Sequence, residues 1–526
     1  MKKGCMKKGC MKKGCMKTGR MKQSWIQQPL LSMAAGVACC FGGMGLAPLP
    51  AEAVDRLQLR LPVMEMTITL DIAQVRTAAE LIQANPDLQE LDRAGEGAVL
   101  RLLNQLLTAP LPEQTGGVAE QMVGHPLLEQ ALVAASELVE VEGLPIDTSG
   151  RMVSDALAAT YRDGQPTVLG LLQNMPGESI TLNLQALAFY AQRLQNNWDD
   201  ARQLVQQGTP AVPAPSSLLA SAATGWTREQ LSLSVVHRPQ PISLTVVKPT
   251  GAANGRLVVI SHGLWDEPAS FEGWGRLLAS QGYTVLLPRH PGSDSQQQKA
   301  MLLGDQPPPG PEELRLRPLD VQALLDGIEA GSLLPGTALN TSAVAVVGHS
   351  WGAVSALQLG GLGTTSRKLK DRCQDPRDPE RNLSWILQCS WLTGAEQGSL
   401  ADPRVTTVVA VSPPLMLLFD ETTAPSAQAK ALFVSGTSDW VVPPDPEAVT
   451  PLRRGQPMAR GHRLVLVSGG DHFNLWAPAD QADPPVLGPL ILAWIHEQLG
   501  VSTTFTFSAG RWGSSARPLV DVTSGL

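Results

Sequence analysis

Beyond residue 53 the sequence is short of cysteine, of long apolar runs and of positive charge, and each shortage narrows the field. Five of the seven cysteines fall within the first 40 residues, leaving Cys373 and Cys389 as the only two in the remainder. No later stretch reaches the roughly 18 consecutive apolar residues of a membrane-spanning helix, so the mature chain is expected to be soluble. Residues 1–53 hold nine Lys/Arg and one acid, which leaves 32 bases against 47 acids and a net charge of −15 for the rest. That balance argues against a nucleic-acid partner. Tyrosine is also scarce, at 3 against 42 prolines. What remains is globular in composition, 43% hydrophobic and 17% charged, and 526 residues suffice for two or more domains.

The basic N-terminus opens on a five-residue repeat, MKKGCMKKGCMKKGC, followed by an apolar run from Leu30 to Leu46 and then Ala51-Glu52-Ala53. A basic start, a short apolar centre and an A-x-A site read as a secretory signal peptide cleaved near Ala53, before Val54. A start at Met21 would leave a signal of ordinary proportions and make the repeat an upstream extension. The cysteines of the repeat have no histidine beside them, which disfavours a metal site. Gly36 and the Cys39-Cys40 pair also break the pattern that a lipoprotein signal requires. In an exported protein Cys373 and Cys389, both in one irregular segment, could form a disulfide. Two unpaired thiols are the alternative, since sequence gives no distance between them.

Residues 54–207 read as a mostly helical domain with a small β element. Leu57-Leu59-Leu61 and Met64-Met66-Ile68-Leu70 alternate as strands interrupted at Pro62, and Ser179 to Leu184 as another. Asp71 is expected to cap a helix carrying Ile72, Val75, Ala79 and Ile82, and residues 126–142, 152–175 and 185–205 show the same helical period. His125, before Pro126, reads as a turn residue. Residues 208–226, rich in Pro, Ala and Ser, read as a linker.

From 227 to 500 the pattern becomes α/β. A hairpin (231–236 and 242–247) leads into strands at 256–261, 283–287, 343–347, 405–411, 431–435 and 464–467. Helices fall at 270–281, 318–328, after Ser350, and at 486–499. Alternating β-branched strands and helices imply a mostly parallel sheet covered on both faces. Such sheets bind ligands beyond the carboxyl ends of their strands. Residues 501–526 read as a tail.

Every residue that could carry chemistry lies at such a strand end. Gly348-His349-Ser350-Trp351-Gly352 follows a short buried strand and precedes a helix, the context of a nucleophile elbow. With 49 glycines in the chain the G-x-S-x-G pattern alone is weak. A serine hydroxyl needs a base, and the base a carboxylate to orient it. Asp439 follows the next strand but one and His472 the strand after that, giving the order serine, acid, histidine. Of the rival acids, Asp402 precedes its strand, Asp420 lies far past the next, and Asp471 adjoins His472 too closely to orient it. His262, His290 and His349 sit in motifs of their own, while His237, His462 and His496 read as surface or structural residues. The oxyanion that forms during acyl transfer needs two backbone N–H donors. Trp351, after the nucleophile, supplies one; Leu264 supplies the other if Gly263 allows the turn that aims it inward.

These motifs carry a resemblance. Ser261-His262-Gly263-Leu264, His290-Pro291-Gly292-Ser293-Asp294, Gly348 to Gly352, Ser435 to Asp439 and Asp471-His472-Phe473 resemble the α/β-hydrolase superfamily. Within it they are similar to exported bacterial enzymes that are platelet-activating-factor acetylhydrolase-like or dienelactone-hydrolase-like. Residues 54–205 resemble the helical domain of unknown function that precedes such hydrolases. The resemblance implies an α/β-hydrolase fold, a Ser350-Asp439-His472 triad and Leu264 and Trp351 as oxyanion donors. Trp351, standing where Phe or Met is usual, makes a bulkier wall beside the serine.

An insertion at 361–404 is long for a compact domain and is expected to cap the pocket, with only its apolar second half packed and Arg367 to Arg381 solvated. The Gln306 to Pro311 loop is expected to form the opposite rim. Trp265, Trp440, Phe473 and Trp476 are candidate acyl-pocket residues. The resulting expectation is a serine hydrolase acting on lipid, phospholipid acyl or small esters, needing neither metal nor organic cofactor, with peripheral membrane contact open to it. The alternatives are an acyltransferase, or an envelope-docking protein in which the hydrolase fold is a scaffold.

Overall fold

A computed structural model describes residues 53–60, 67–94, 96–111, 115–396, 399–419, 429–455, 460–480 and 484–526. The signal segment and its repeat, Met21, the Leu61 to Met66 interruption and Asp420 lie outside the described residues. The strands, in chain order, are β1 (Arg56–Arg60), β2 (Thr67–Asp71), β3 (Val139–Glu142), β4 (Ser179–Asn183), β5 (Thr209–Pro210), β6 (Trp226–Leu233) and β7 (Ile242–Pro249). They continue with β8 (Arg256–Ser261), β9 (Thr284–Pro288), β10 (Asn340–His349), β11 (Val405–Val411), β12 (Lys430–Gly436), β13 (Arg463–Val467) and β14 (Leu519–Asp521).

These strands make two sheets. The larger has the order β5-β14-β13-β12-β11-β10-β8-β9-β7-β6. Its six central strands, β13 to β9, are parallel, and antiparallel strands close both edges. The α/β expectation thus holds for this part of the chain. Strand β10 shows why the central strands read as unbroken apolar runs. Val344 and Val346 enter one core while Ala345 and Val347 enter the other, since alternate residues face opposite sides of a sheet covered on both. Each such valine contributes on the order of 1.5 kcal/mol or more on burial.

The smaller sheet, β2-β1-β4-β3, surrounds its own core of Leu57, Leu70, Ile72, Leu81 and Ile180. Two expectations fail here. Asp71 ends β2 and accepts from the Ala73 amide at 3.1 Å, and the helix begins only at Ala78, where the Thr77 hydroxyl accepts from Glu80. The helix from Pro126 stops at Ala135, and the Val-Glu-Val-Glu alternation that follows pairs with β4 as strand β3. His125 does sit at a turn, its Nδ1 accepting the Leu127 amide as the helix cap.

Helix Leu184–Gln207 joins the two parts. Asn183 caps it, Ala201 and Leu204 enter the main core, and its middle reaches the insertion. There the Tyr190 hydroxyl donates to Pro376 O at 3.2 Å, and Arg193 donates to the carbonyls of Asp378 and Arg381 at 3.0 and 2.9 Å. The stretch read as a linker is built into the fold, with Thr209–Pro210 paired to β14 and a helix at Ser216–Ser221. The expected tail in turn supplies β14. Helix Glu313–Glu329 begins five residues before the expected start and contains Pro318, and helix Ser295–Leu302, capped by Asp294, was not evident in the periodicity.

The insertion packs along both halves, contrary to expectation. Leu369 and Cys373 are fully buried, and the Arg372 guanidinium lies 4.7 Å over the Trp385 ring. Charged side chains bury their stems against apolar surface while their heads find partners, here Asp378 for Arg372. A Cys373–Cys389 disulfide ties the halves together.

Candidate active site

The turn after β10 explains both of its glycines. Ser350 has φ 54° and ψ −117°, a strained conformation for a residue with a side chain, and its amide donates to Val411 O at 2.8 Å. A Cβ on Gly348 would lie 2.0 Å from Gly352 O, and one on Gly352 would lie 2.1 Å from Ser261 O. Only glycine fits either place, so the elbow and the loop after β8 touch directly.

Two and three strands further along the sheet stand the acid and the histidine. Asp439 is fully buried, and its Oδ2 lies 2.9 Å from His472 Nδ1. Its Oδ1 accepts from the amides of Val441 and Val442 at 2.9 and 2.8 Å. With Nδ1 facing Asp439, Nε2 is the outward nitrogen of the His472 ring. His349 links the elbow to this pair: its Nε2 donates to His472 O at 3.0 Å, and the two rings lie 4.7 Å apart. Burial pushes the His349 pKa well below the usual histidine range, so it adds no second positive charge there.

The Leu264 and Trp351 amides have no protein acceptor among the described residues. Trp351 begins its helix, where an N–H lacks an intrahelical partner. The turn that presents Leu264 differs from expectation. Its left-handed residue is Trp265, at φ 58°, and not Gly263. Gly263 instead keeps the approach open, because a Cβ there would lie 3.3 Å from His349 Nδ1 and 3.5 Å from Ser350 Cβ.

The Trp351 ring is no pocket wall. It is fully buried, with Trp391 of the insertion 4.7 Å away, so the insertion packs straight onto the helix that follows Ser350. Of the four pocket candidates, Trp440, Phe473 and Trp476 form a chain of rings, 6.1 and 5.5 Å apart, with Phe473 lying 5.4 Å from His472. Trp265 stands apart and donates its indole N–H to Gln297. Trp440 and Phe473 are about half exposed, at 47% and 46%. Trp440 also lines a largely apolar cavity of about 230 Å³, whose other walls include Leu187 and Leu194 of the long helix and Leu383 and Ile386 of the insertion.

Three features were not evident in sequence. Trp198, on helix Leu184–Gln207, donates its indole N–H to the backbone carbonyl of Asp439 at 3.0 Å, bringing the N-terminal part against the acid's loop. The second is another serine, histidine and aspartate in hydrogen-bonded series. Ser261 Oγ lies 2.9 Å from His290 Nε2, and His290 Nδ1 lies 2.8 Å from Asp320 Oδ2. All three are wholly buried and Ser261 ends an ordinary strand, so no substrate reaches it. Burial lowers the His290 pKa to about 4 and would raise that of Asp320, but hydrogen bonds from His237, His290 and Arg238 hold Asp320 below the usual carboxylate range. This neutral histidine on a carboxylate bolts the motif at 290–294 to the loop after β8. The third is the Arg317 side chain, also wholly buried, behind that loop. Among the described residues no group of three or more His, Cys, Asp or Glu could hold a metal ion.

A strained serine turn, a carboxylate-oriented histidine and two amides without a protein acceptor among the described residues lie along one edge of the parallel sheet of an α/β protein. Residues 257–484 match the model of the alpha/beta hydrolase family, a span that includes Leu264, Ser350, Asp439 and His472, and the match supports a hydrolase. Comparison with curated proteins gives no match.

Proposed function

We propose that this chain is a serine hydrolase that cleaves carboxylic esters with an apolar acyl group. The observation that carries the reading is the strained Ser350 turn, tied to the buried Asp439–His472 pair through the neighbouring His349. His472 Nε2 takes the Ser350 proton as Oγ attacks the ester carbonyl, and the Leu264 and Trp351 amides receive the oxyanion. The alcohol departs with the proton from His472. Water then enters, gives a proton to the same nitrogen and releases the acid from Ser350.

The exposed rings of Trp440 and Phe473, and the cavity beyond Trp440, favour acyl chains over small polar groups. They also favour lipid or phospholipid acyl esters over small soluble esters. Leu187, Phe189 and Leu383, exposed at 52%, 61% and 44%, extend the apolar surface and support peripheral contact with a lipid surface. Export is supported by the Cys373–Cys389 disulfide, a bond that persists in oxidising compartments. The Trp198 contact favours an N-terminal part that completes the site over one that serves only for docking.

A fluorophosphonate probe tests the assignment. It should label the protein and leave the Ser350→Ala variant unlabelled, and equal labelling of both would overturn it. Turnover of esters of graded chain length should rise with chain length before falling, and a preference for acetyl esters alone would remove the acyl-chain reading. Water against alcohol acceptors in the same assay separates hydrolysis from acyl transfer.

A further inference from the structure

The wholly buried Arg317 has no carboxylate within ion-pair distance among the described residues, an expensive way to place a cation. Its donors go to three backbone carbonyls and one hydroxyl instead. Nη1 donates to His262 O at 2.7 Å, and Nη2 to Gly263 O at 3.0 Å and Ser293 O at 3.1 Å. Nε donates to Ser293 Oγ at 2.9 Å, and the guanidinium lies 4.4 Å over the Trp351 ring. Ser293 O in turn accepts the Trp265 amide at 2.8 Å, which fixes the far side of the same loop.

The carbonyl and the N–H of a trans peptide point in opposite directions. A donor that grips Gly263 O therefore fixes the Leu264 N–H pointing away from Arg317. Gly263 itself lies against Ser350, so the freed N–H faces the nucleophile's side of the loop. Without the fork, Gly263 O would keep only the His262 Nδ1 contact at 2.8 Å, and the His262 carbonyl would lose its Arg317 donor. The guanidinium's plane matches two successive carbonyls, a geometry an ammonium reproduces poorly.

We propose that Arg317 is a positioning residue for the oxyanion hole, holding the Leu264 amide in its donating orientation and packing against Trp351, whose own amide is the second donor. This rests on the reading of Ser350 as nucleophile. Arg317 keeps its positive charge at neutral pH even though burial lowers its pKa to about 9. The charge stands behind the peptide dipole and reinforces the N–H end that meets the oxyanion.

The test uses the full chain and the variants Arg317→Met and Arg317→Lys, with active sites counted by fluorophosphonate titration taken to its end point. Per titrated site, Arg317→Met should lose about 100-fold or more in kcat, with KM for the same ester within threefold. Its affinity for a trifluoromethyl ketone of matching chain length, which forms an oxyanion on Ser350, should fall in parallel. Arg317→Lys should recover at least tenfold of the kcat lost yet stay at least threefold below the wild type, since an ammonium reproduces the fork only in part. A purely structural role would lower the number of titratable sites and leave kcat per site unchanged, and that outcome overturns the proposal. Should Arg317→Met yield no titratable sites, the lysine variant decides: wild-type kcat per site and wild-type ketone affinity would refute the proposal, and a parallel loss in both would support it. Absence of labelling in the wild type would instead refute the Ser350 reading, and this inference with it.

Discussion

Replacing Asp439 by Asn isolates what the buried carboxylate does. The asparagine oxygen can still accept from Val441 and Val442 at the 2.9 and 2.8 Å positions, so the loop keeps its local bonds. The other atom then becomes an NH2 facing His472 Nδ1, where Asp439 Oδ2 stood at 2.9 Å. Two donors cannot share that bond. The imidazole must turn Nδ1 into the acceptor and move its proton to Nε2, which can then no longer take one from Ser350. The wrong tautomer costs about 10⁴ in kcat in comparable sites, or roughly 5 kcal/mol of barrier. Folding should lose far less, about 1.5–3 kcal/mol for one charge-assisted hydrogen bond. Steady-state ester hydrolysis and a denaturant melt on the same preparation separate the two effects. A loss of less than tenfold in kcat, or a kcat loss that merely tracks unfolding, would refute the tautomer argument.

The second hydrogen-bonded series offers a control, because Ser261→Ala removes a hydroxyl no substrate can reach. Stability should fall by about 1 kcal/mol while fluorophosphonate labelling and kcat stay within threefold; loss of labelling with retained fold would make Ser261 a nucleophile. Replacing Cys373 and Cys389 together by Ser opens a loop with a separation of 16 residues, for which about 3 kcal/mol of stability should be lost in a urea titration. An unchanged midpoint would show that packing alone holds the insertion. His462, buried and accepting the Ala431 amide on Nδ1 at 3.1 Å, has its pKa lowered to about 4, chiefly by burial. The unfolded chain therefore binds this proton first on acidification. Stability should fall as pH drops from about 6.5 to 4, by on the order of 3 kcal/mol from this group alone. His462→Gln should flatten that part of the pH dependence, and an equally steep fall in the variant would assign it elsewhere.

The elements that carry the site were legible because each announces itself locally. Val344 to Val347 is a β-branched run, and Gly348 and Gly352 mark the turn whose backbone a Cβ would strike. Asp439 and His472 each follow a short apolar strand, so counting strands placed them on one edge of the sheet. What could not be read depends on contacts far apart in sequence. Trp198 meets Asp439 across 241 positions, and Arg317 reaches back 54 and 55 to the carbonyls it grips. No periodicity records such pairings. The charged half of the insertion was misread for a related reason: Arg372 and Arg381 look solvated by composition, yet their guanidinium groups lie over Trp385 and their neighbours close a buried disulfide. Likewise Gly263 was credited with a turn that Trp265 makes, because glycine is the default for positive φ and a tryptophan there is strained.

The most direct test of the central claim is the site of covalent modification. After reaction of the wild-type protein with a fluorophosphonate, proteolysis and mass spectrometry should place a single adduct on Ser350, and none should form in Asp439→Asn at the same exposure time. An adduct on any other serine, Ser261 included, or no adduct on the folded wild-type protein, would contradict the account.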